Sequence, residues 1–269
     1  MSIRIVLVGT SHPGNVGSAA RAMKTMGLDS LWLVAPERFP ATEATVMAAG
    51  ADDVLERARV VPDLRTAIAD CGLIVGTTAR GRHLPWRIVE PREAAREIAA
   101  AAQSSEVAIL FGNERTGLAN EHLQPCHTLL TIPTGSAYTS LNLAMAVQVV
   151  AYEVCLALRD RDVRPGVAPL AQQTDACDDA PAHAEGPVPL ASAAEMEQFY
   201  AHLGQVLDEI DFRDRTRSGH LMARLRRLFQ RTVLDQNEMN ILRGILTAVQ
   251  GKRRRAGEPH VHHDPRVAP

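Results

Sequence analysis

The chain has 269 residues, 46% of them apolar, 4% aromatic, with a formal net charge of −2. That excludes general disorder and supplies a Val, Leu, Ile, Ala and Met core for one large domain, or one domain plus a smaller one. So few aromatic rings leave little for base stacking on an aromatic sheet, and the near-neutral total excludes a uniformly basic nucleic-acid binder.

Ile3–Val8 is a β-branched apolar run and predicts a buried parallel strand, with no basic-then-apolar leader before it. Ser18–Met26 predicts a helix: Ala19, Ala22, Met23 and Met26 share one face, Arg21, Lys24 and Thr25 the other. Gly27 is its C-cap. The alternation continues with strand Ser30–Val34, helix Ala41–Gly50, strand Val60–Val61, helix Leu64–Asp70 and strand Leu73–Thr77. It ends with helix Pro91–Ala102, strand Val107–Phe111, strand Thr128–Ile132 and helix Leu141–Leu158. Strands alternating with helices predict an α/β fold on a parallel sheet.

Arg159–Ala194 is rich in Pro, Ala, Asp and Gln and reads as a flexible linker. Helical periodicity returns over Glu195–Glu209, Gly219–Thr232 and Asp235–Gly251, a small all-helical appendage. Residues 252–269 read as a disordered tail, its His260, His262 and His263 included. The domains are therefore 1–158, a linker 159–194, an appendage 195–251 and the tail 252–269.

Four scattered cysteines without a C-x-x-C pair argue against disulfides and a zinc site. No apolar run approaches the ~20 residues of a membrane span. Together these predict a reducing, cytoplasmic setting with no metal and no membrane. Charge is unevenly spread: Arg213–Arg231 holds seven arginines against one acid, Asp214, and Lys252–Arg255 adds four positive residues. A local patch of this kind suits a polyanion. A solvated helix packed on Leu221, Leu225 and Leu228 explains the same arginines.

Four segments at strand ends carry small and polar residues. Gly9–Ser18 is glycine-rich, yet its spacing fits neither the dinucleotide fingerprint nor a P-loop, where Lys would stand at Asn15. A plain strand–helix turn accounts for it equally well. Leu110–Leu118 (L-F-G-N-E-R-T-G-L) has Gly112 and Gly117 as turn residues. Its Glu114 and Arg115 admit an ordinary loop ion pair. Thr77-Thr78-Ala79-Arg80 follows another strand. Thr139–Gln148 (T-S-L-N-L-A-M-A-V-Q) opens an almost uncharged helix with Thr139, Ser140 and Asn142. N-capping explains one of those three, not all. Ligands of open α/β sheets bind at the carboxyl ends of strands, where all four loops fall. A Rossmann oxidoreductase is excluded by glycine spacing and by Ala35-Pro36 where an acid should end the second strand.

G-N-V-G-S-x-x-R-A-M-K-T-M-G, L-F-G-x-E-x-x-G-L and S-L-N-L-A-M-A-V-Q, in that order, resemble the three signature motifs of the SPOUT RNA methyltransferases. Within that superfamily they look like the TrmJ branch. The resemblance spans residues 3–158, with a looser match at F199-Y-x-H-L and N240-I-L-R-G-I-L. It implies a trefoil-knotted α/β domain, an exception to the unknotted rule, and an active site built across a homodimer. It also implies S-adenosylmethionine as cofactor, held by Thr77, Thr78, Ala79, Gly112, Ile132, Thr139, Ser140 and Leu141. Arg21, Ser140, Asn142, Asn15 and Glu114 match the catalytic motif positions. Asn113 departs from the basic residue that related sequences often carry.

The implied activity is 2′-O-methylation of cytidine or uridine at nucleotide 32 of the tRNA anticodon loop. Arg213, Arg215, Arg217, Arg224, Arg226 and Arg227 are the expected tRNA-backbone contacts. The alternatives are a ribosomal RNA or other tRNA position for the same chemistry, or an inactive RNA-binding module. Intact Arg21, Ser140 and Asn142 weigh against the last.

Overall fold

A computed structural model describes residues 3–79, 86–135, 140–163, 188–212 and 220–257. Seven strands form one sheet: β1 (Ile3–Val8), β2 (Ser30–Val34), β3 (Arg59–Val61), β4 (Cys71–Thr77), β5 (Ile88–Val89), β6 (Glu106–Phe111) and β7 (Thr128–Leu130). Their order is β3-β2-β1-β6-β4-β7-β5, and every pairing is parallel. β4 lies between β6 and β7, so the chain crosses over it between those two strands.

Side chains along the central strands alternate between two cores. Ile5, Leu7, Leu33, Val75, Ile109 and Phe111 face one side. There they meet α1 (Pro13–Thr25), α2 (Thr42–Ala48), α3 (Asp52–Glu56), α5 (Pro91–Ala101) and α7 (Leu143–Val163). Val6, Val34, Ile74 and Leu110 face the other, against α4 (Leu64–Ile68) and α6 (Asn120–Leu123). Both faces are covered, which is why the strands read as unbroken apolar runs.

Several boundaries differ from the sequence reading. α1 starts at Pro13, so Gly14–Ser18 is helix, not loop. Proline at the first helical position is already set at a helical φ, and its missing N–H costs nothing there. Gly17 is then a packing residue: a Cβ on it would lie 2.0 Å from the Ala44 carbonyl oxygen of α2. α7 begins at Leu143 and runs to Val163, into the predicted linker. β7 ends at Leu130, before Ile132. β5 and the short α3 and α6 fell within segments read as irregular.

Three further helices follow: α8 (Ala193–Glu209), α9 (Leu221–Thr232) and α10 (Gln236–Gly257). Ser192 and Glu195 close a capping box at the start of α8. Helix continues six residues past the predicted end of the appendage at Gly251, so residues 252–257 are not tail. The helices share a small core of their own, with Met196, Phe199, Tyr200, Met239 and Leu246 buried. They are also seated on the sheet. The Leu190 amide donates to Ser105 Oγ at 2.8 Å, and the Ala194 amide to the Ala69 carbonyl at 2.9 Å. Gln230 Nε2 donates to the Gln124 carbonyl, and the Arg227 guanidinium lies 4.2 Å over the Trp86 ring. Ala69, Ser105, Gln124 and Trp86 all precede strands, so the seam runs along the edge where β4 to β7 begin.

Among the described residues no helix is long and apolar enough to cross a membrane. Nor does any group of three or more His, Cys, Asp or Glu side chains among them come together to hold a metal ion.

Candidate active site

At the opposite edge, where strands end, the loops enclose a cavity of about 250 Å³. Thr77, Thr78 and Ala79 line it from β4, Gly112 to Leu118 from β6, Leu130, Ile132 and Thr134 from β7, and Ser140, Leu141, Leu143 and Ala146 from the start of α7. The cavity exists because two backbones run close together. A Cβ on Gly112 would lie 2.1 Å from the Gly117 carbonyl carbon, so only glycine fits there. The β4 loop is pinned from both sides: Thr77 Oγ1 donates to the Leu110 carbonyl at 2.8 Å, and the Thr78 amide to the Leu130 carbonyl at 2.9 Å.

The three motif segments are tied together by one carboxylate and two asparagine side chains. Glu114 Oε2 accepts from the Ser11 amide and hydroxyl at 3.0 and 2.9 Å. Its Oε1 accepts from the His12 amide at 3.2 Å and from Asn15 Nδ2 at 2.9 Å. Asn15 Oδ1 in turn accepts from Asn142 Nδ2 at 3.0 Å, and Asn142 Oδ1 accepts from the Ala144 amide at 2.9 Å. The chain of contacts runs from the β6 loop through the start of α1 to the start of α7. Burial alone would raise the Glu114 pKa. The bonds from Asn15 and Ser11 outweigh it and hold the carboxyl at about 2. Glu114 is thus a fixed anion with its acceptor sites filled, and the loop ion pair with Arg115 is not what engages it.

Ten sequence-predicted residues are drawn together here, in two roles. Asn15, Glu114 and Asn142 form the tie, and Asn142 also caps α7. Ser140 and Gly112 line the cavity, as do Thr77, Thr78, Ala79, Ile132 and Leu141. Arg21 is exposed on α1 and is not among the cavity-lining residues of its own chain. Thr139 and Arg80 lie outside the described residues, as do Arg213, Arg215 and Arg217. Of the remaining predicted RNA contacts, Arg224 is exposed. Arg226 is instead paired with Glu197 and stacked 4.4 Å over Tyr200, and Arg227 lies against Trp86. Those two guanidinium groups hold helix to helix and helix to sheet.

Two positioning roles escaped the sequence reading, which noted Asn113 only as a departure from the basic residue of related sequences. Ser11 supplies two of the bonds to Glu114. Asn113 donates to the Gly9 carbonyl at 2.7 Å and accepts from the Arg115 amide at 2.9 Å. Its side chain is folded into the turn, a use of Asn that N-x-x-x-G spacing in a loop can signal.

Residues 2–152 match the model of the SpoU rRNA Methylase family, and residues 194–260 that of the tRNA methyltransferase TrmJ, C-terminal domain. The tRNA (cytidine/uridine-2′-O-)-methyltransferase TrmJ of Yersinia enterocolitica is 47% identical over 249 residues, covering 93% of this chain and 91% of that one. The same enzyme of Cronobacter sakazakii is 48% identical over 252 residues, covering 94% and 97%. Among solved structures, TrmJ from Z. mobilis ZM4 superposes with a TM-score of 0.73 at 33% identity, covering 93% of this chain and all of that one. A probable methylase family protein from Haemophilus influenzae gives 0.58 at 39%, covering 94% and 98%. With matches that run through both the cavity-bearing sheet and the C-terminal helices, the chain belongs to the SpoU methylase family and, within it, to the TrmJ tRNA methyltransferases.

Proposed function

We propose that this chain methylates the ribose 2′-oxygen of cytidine or uridine at nucleotide 32 of the tRNA anticodon loop, using S-adenosylmethionine. The observation that carries the reading is the cavity at the strand ends with Ser140 on its wall and the Glu114–Asn15–Asn142 tie beside it. The cofactor suits the lining. Backbone-rich walls at 77–79, 112 and 130–132 offer donors and acceptors to an adenine and a ribose. Among the described residues of the lining, Glu114 and Arg115 are the charged ones, so the described walls hold no cluster of positive charge of the kind a pyrophosphate would need. When bound, the cofactor supplies an electrophilic sulfonium methyl group.

Ser140, exposed at the mouth, orients the ribose hydroxyl for in-line attack. Arg21 stabilises the developing alkoxide and pins a neighbouring phosphate. A guanidinium, always protonated, is not the base, and Glu114 at about 2 has too little proton affinity for the task. The proton leaves to a phosphate oxygen of the RNA or to water.

Arg21 reaches such a site from a second protomer. Supporting this are the exposed Met145, Val149 and Tyr152 on the outer side of α7, which packs against α1. Closing that apolar face on its counterpart gives the homodimer and a composite site. The trefoil knot belongs to the same reading, the loops after β4, β6 and β7 that wall the cavity being the segments that would thread. The helices from Ala193 onward act as the tRNA-gripping unit, with Arg224 among its contacts and residues 164–187 as the connection. A tRNA-modifying role places the enzyme in the cytoplasm.

The test is incubation with labelled S-adenosylmethionine and unmodified tRNA, followed by mapping of the methylated ribose. Label at the 2′-oxygen of nucleotide 32 is expected. Label confined to ribosomal RNA would overturn the assignment. Arg21→Lys should abolish most turnover while leaving cofactor affinity unchanged; near-normal turnover would remove Arg21 from the mechanism.

A further inference from the structure

The turn after β6 sets two opposite charges side by side in sequence without pairing them. Both oxygens of Glu114 accept from Ser11, His12 and Asn15. The Arg115 backbone is fixed as firmly. Asn113 Oδ1 accepts from its amide at 2.9 Å, and the Gly117 amide closes the turn on the Asn113 carbonyl at 2.8 Å. Gly117 takes a φ of +69° to allow that closure. The Arg115 guanidinium, by contrast, makes no hydrogen bond or ion pair with any of the described residues. The wall of the cavity thus carries an anion whose partners are within the fold and a cation whose partner is not.

The cavity is also polarised from floor to rim. Phe111, Leu118, Leu130 and Leu143 are buried and make an apolar floor. Arg115, Thr116, Thr134 and Ser140 are exposed and make a polar rim. Such a cavity suits a ligand with a flat apolar body and a charged tail. The amino-acid tail of S-adenosylmethionine ends in a carboxylate. Its two coplanar oxygens match the planar fork of a guanidinium, which can meet both at once. One cation serves one carboxylate. An RNA backbone is gripped by several positive side chains together, and Arg115 is the one cation among the described residues of the lining.

We infer that Arg115 binds the tail carboxylate of S-adenosylmethionine and thereby selects the intact cofactor over adenosyl compounds that lack this group. The contact rests on the cofactor reading given above and extends it from backbone-rich walls to one side chain. It leaves Glu114 to its structural tie, so the two neighbours divide the work: one holds the loop, the other reads the ligand.

The test pairs two ligands with two forms of the full chain. S-adenosylmethionine and its decarboxylated analogue differ by the carboxylate alone. Each is titrated calorimetrically, without RNA, into the unmodified chain and into Arg115→Ala. The substitution keeps the backbone amide that Asn113 holds and removes a side chain with no bond to the described fold, so the melting temperature should not change. The preference of the unmodified chain for the intact cofactor should fall roughly tenfold or more in Arg115→Ala, the effect of losing a charge-assisted bond. Comparing ratios between the two forms cancels the pull of the Glu114 anion on both ligands. Arg115→Lys should keep part of the preference, and Arg115→Glu should reverse it.

An unchanged ratio in Arg115→Ala would overturn the contact. So would weakened tRNA binding with the ratio intact, which would make Arg115 a phosphate contact. Failure of the unmodified chain to bind S-adenosylmethionine at all would remove the cofactor reading together with this contact, whereas normal binding with an unchanged ratio would remove the contact alone.

Discussion

Glu114 is held between opposing effects, with burial raising its pKa and the bonds from Asn15 and Ser11 bringing it down to about 2, against an ordinary 4.5. A carboxyl depressed in the folded state stabilises the loops fully above about pH 4.5, and that contribution is lost as pH falls towards 2. Glu114→Gln turns one acceptor oxygen into a donor that faces Ser11 or Asn15. A bond to a charged group is worth ~1.5–3 kcal/mol, so cofactor affinity should fall roughly 10- to 100-fold at neutral pH. The loss of affinity on acidification should flatten in the variant. Calorimetric titration between about pH 3 and 7 checks both; a variant with normal affinity would show that the tie does not shape the cavity. At this scale, the sequence made Gly112, Ser140 and Asn142 conspicuous as small or polar residues beside apolar runs. It could not display the tie itself, which joins residues 99 and 127 positions apart. Nor did it show that Arg226 and Arg227 turn to Glu197, Tyr200 and Trp86, because an arginine on a helix looks the same whether it meets solvent or protein.

Helix α1 shows how an element carries two functions. Its first turn and the two residues before it bring Asn15, Ser11 and His12 to Glu114, and its middle packs on α2 at van der Waals limits around Gly17. Gly17→Ala places a methyl 2.0 Å from the Ala44 carbonyl oxygen, and backbone cannot rotate away as a side chain can. Overpacking of that kind costs ~1–3 kcal/mol, and the melting temperature should drop while α1 shifts at its mouth. Thermal denaturation with a parallel cofactor titration measures both; an unchanged melting temperature would mean that α2 moves freely. The long elements were legible because apolar periodicity persists over whole strands and helices. α3, α6 and β5 were not, having five, four and two residues to show any period. Pro13 was the available signal for the earlier start of α1, and the glycines around it drew the reading towards a loop.

Across the whole molecule, the parallel sheet was readable from the alternation of elements, while strand order and the seating of the C-terminal helices were not. The seating depends on Leu190, Ala194, Arg227 and Gln230 meeting strand beginnings far away in sequence. One strand length, ~20 Å for six residues, separates that seam from the cavity at the strand ends. If the helices grip tRNA while its ribose reacts at the cavity, the enzyme works as a caliper whose two jaws stand at opposite edges of one sheet. Intact tRNA can engage both jaws. A short anticodon stem-loop, with nothing to spare for the far jaw, should react with a similar kcat but a raised KM. Removing residues 188–269 should penalise the intact tRNA and hardly touch the stem-loop. Comparison of the two substrates on the two proteins reads the span of the instrument, and an equal penalty for both would place the jaws together. What the sheet sets, on this reading, is a minimum substrate length, enforced by nothing more than the distance a parallel strand covers between its first residue and its last.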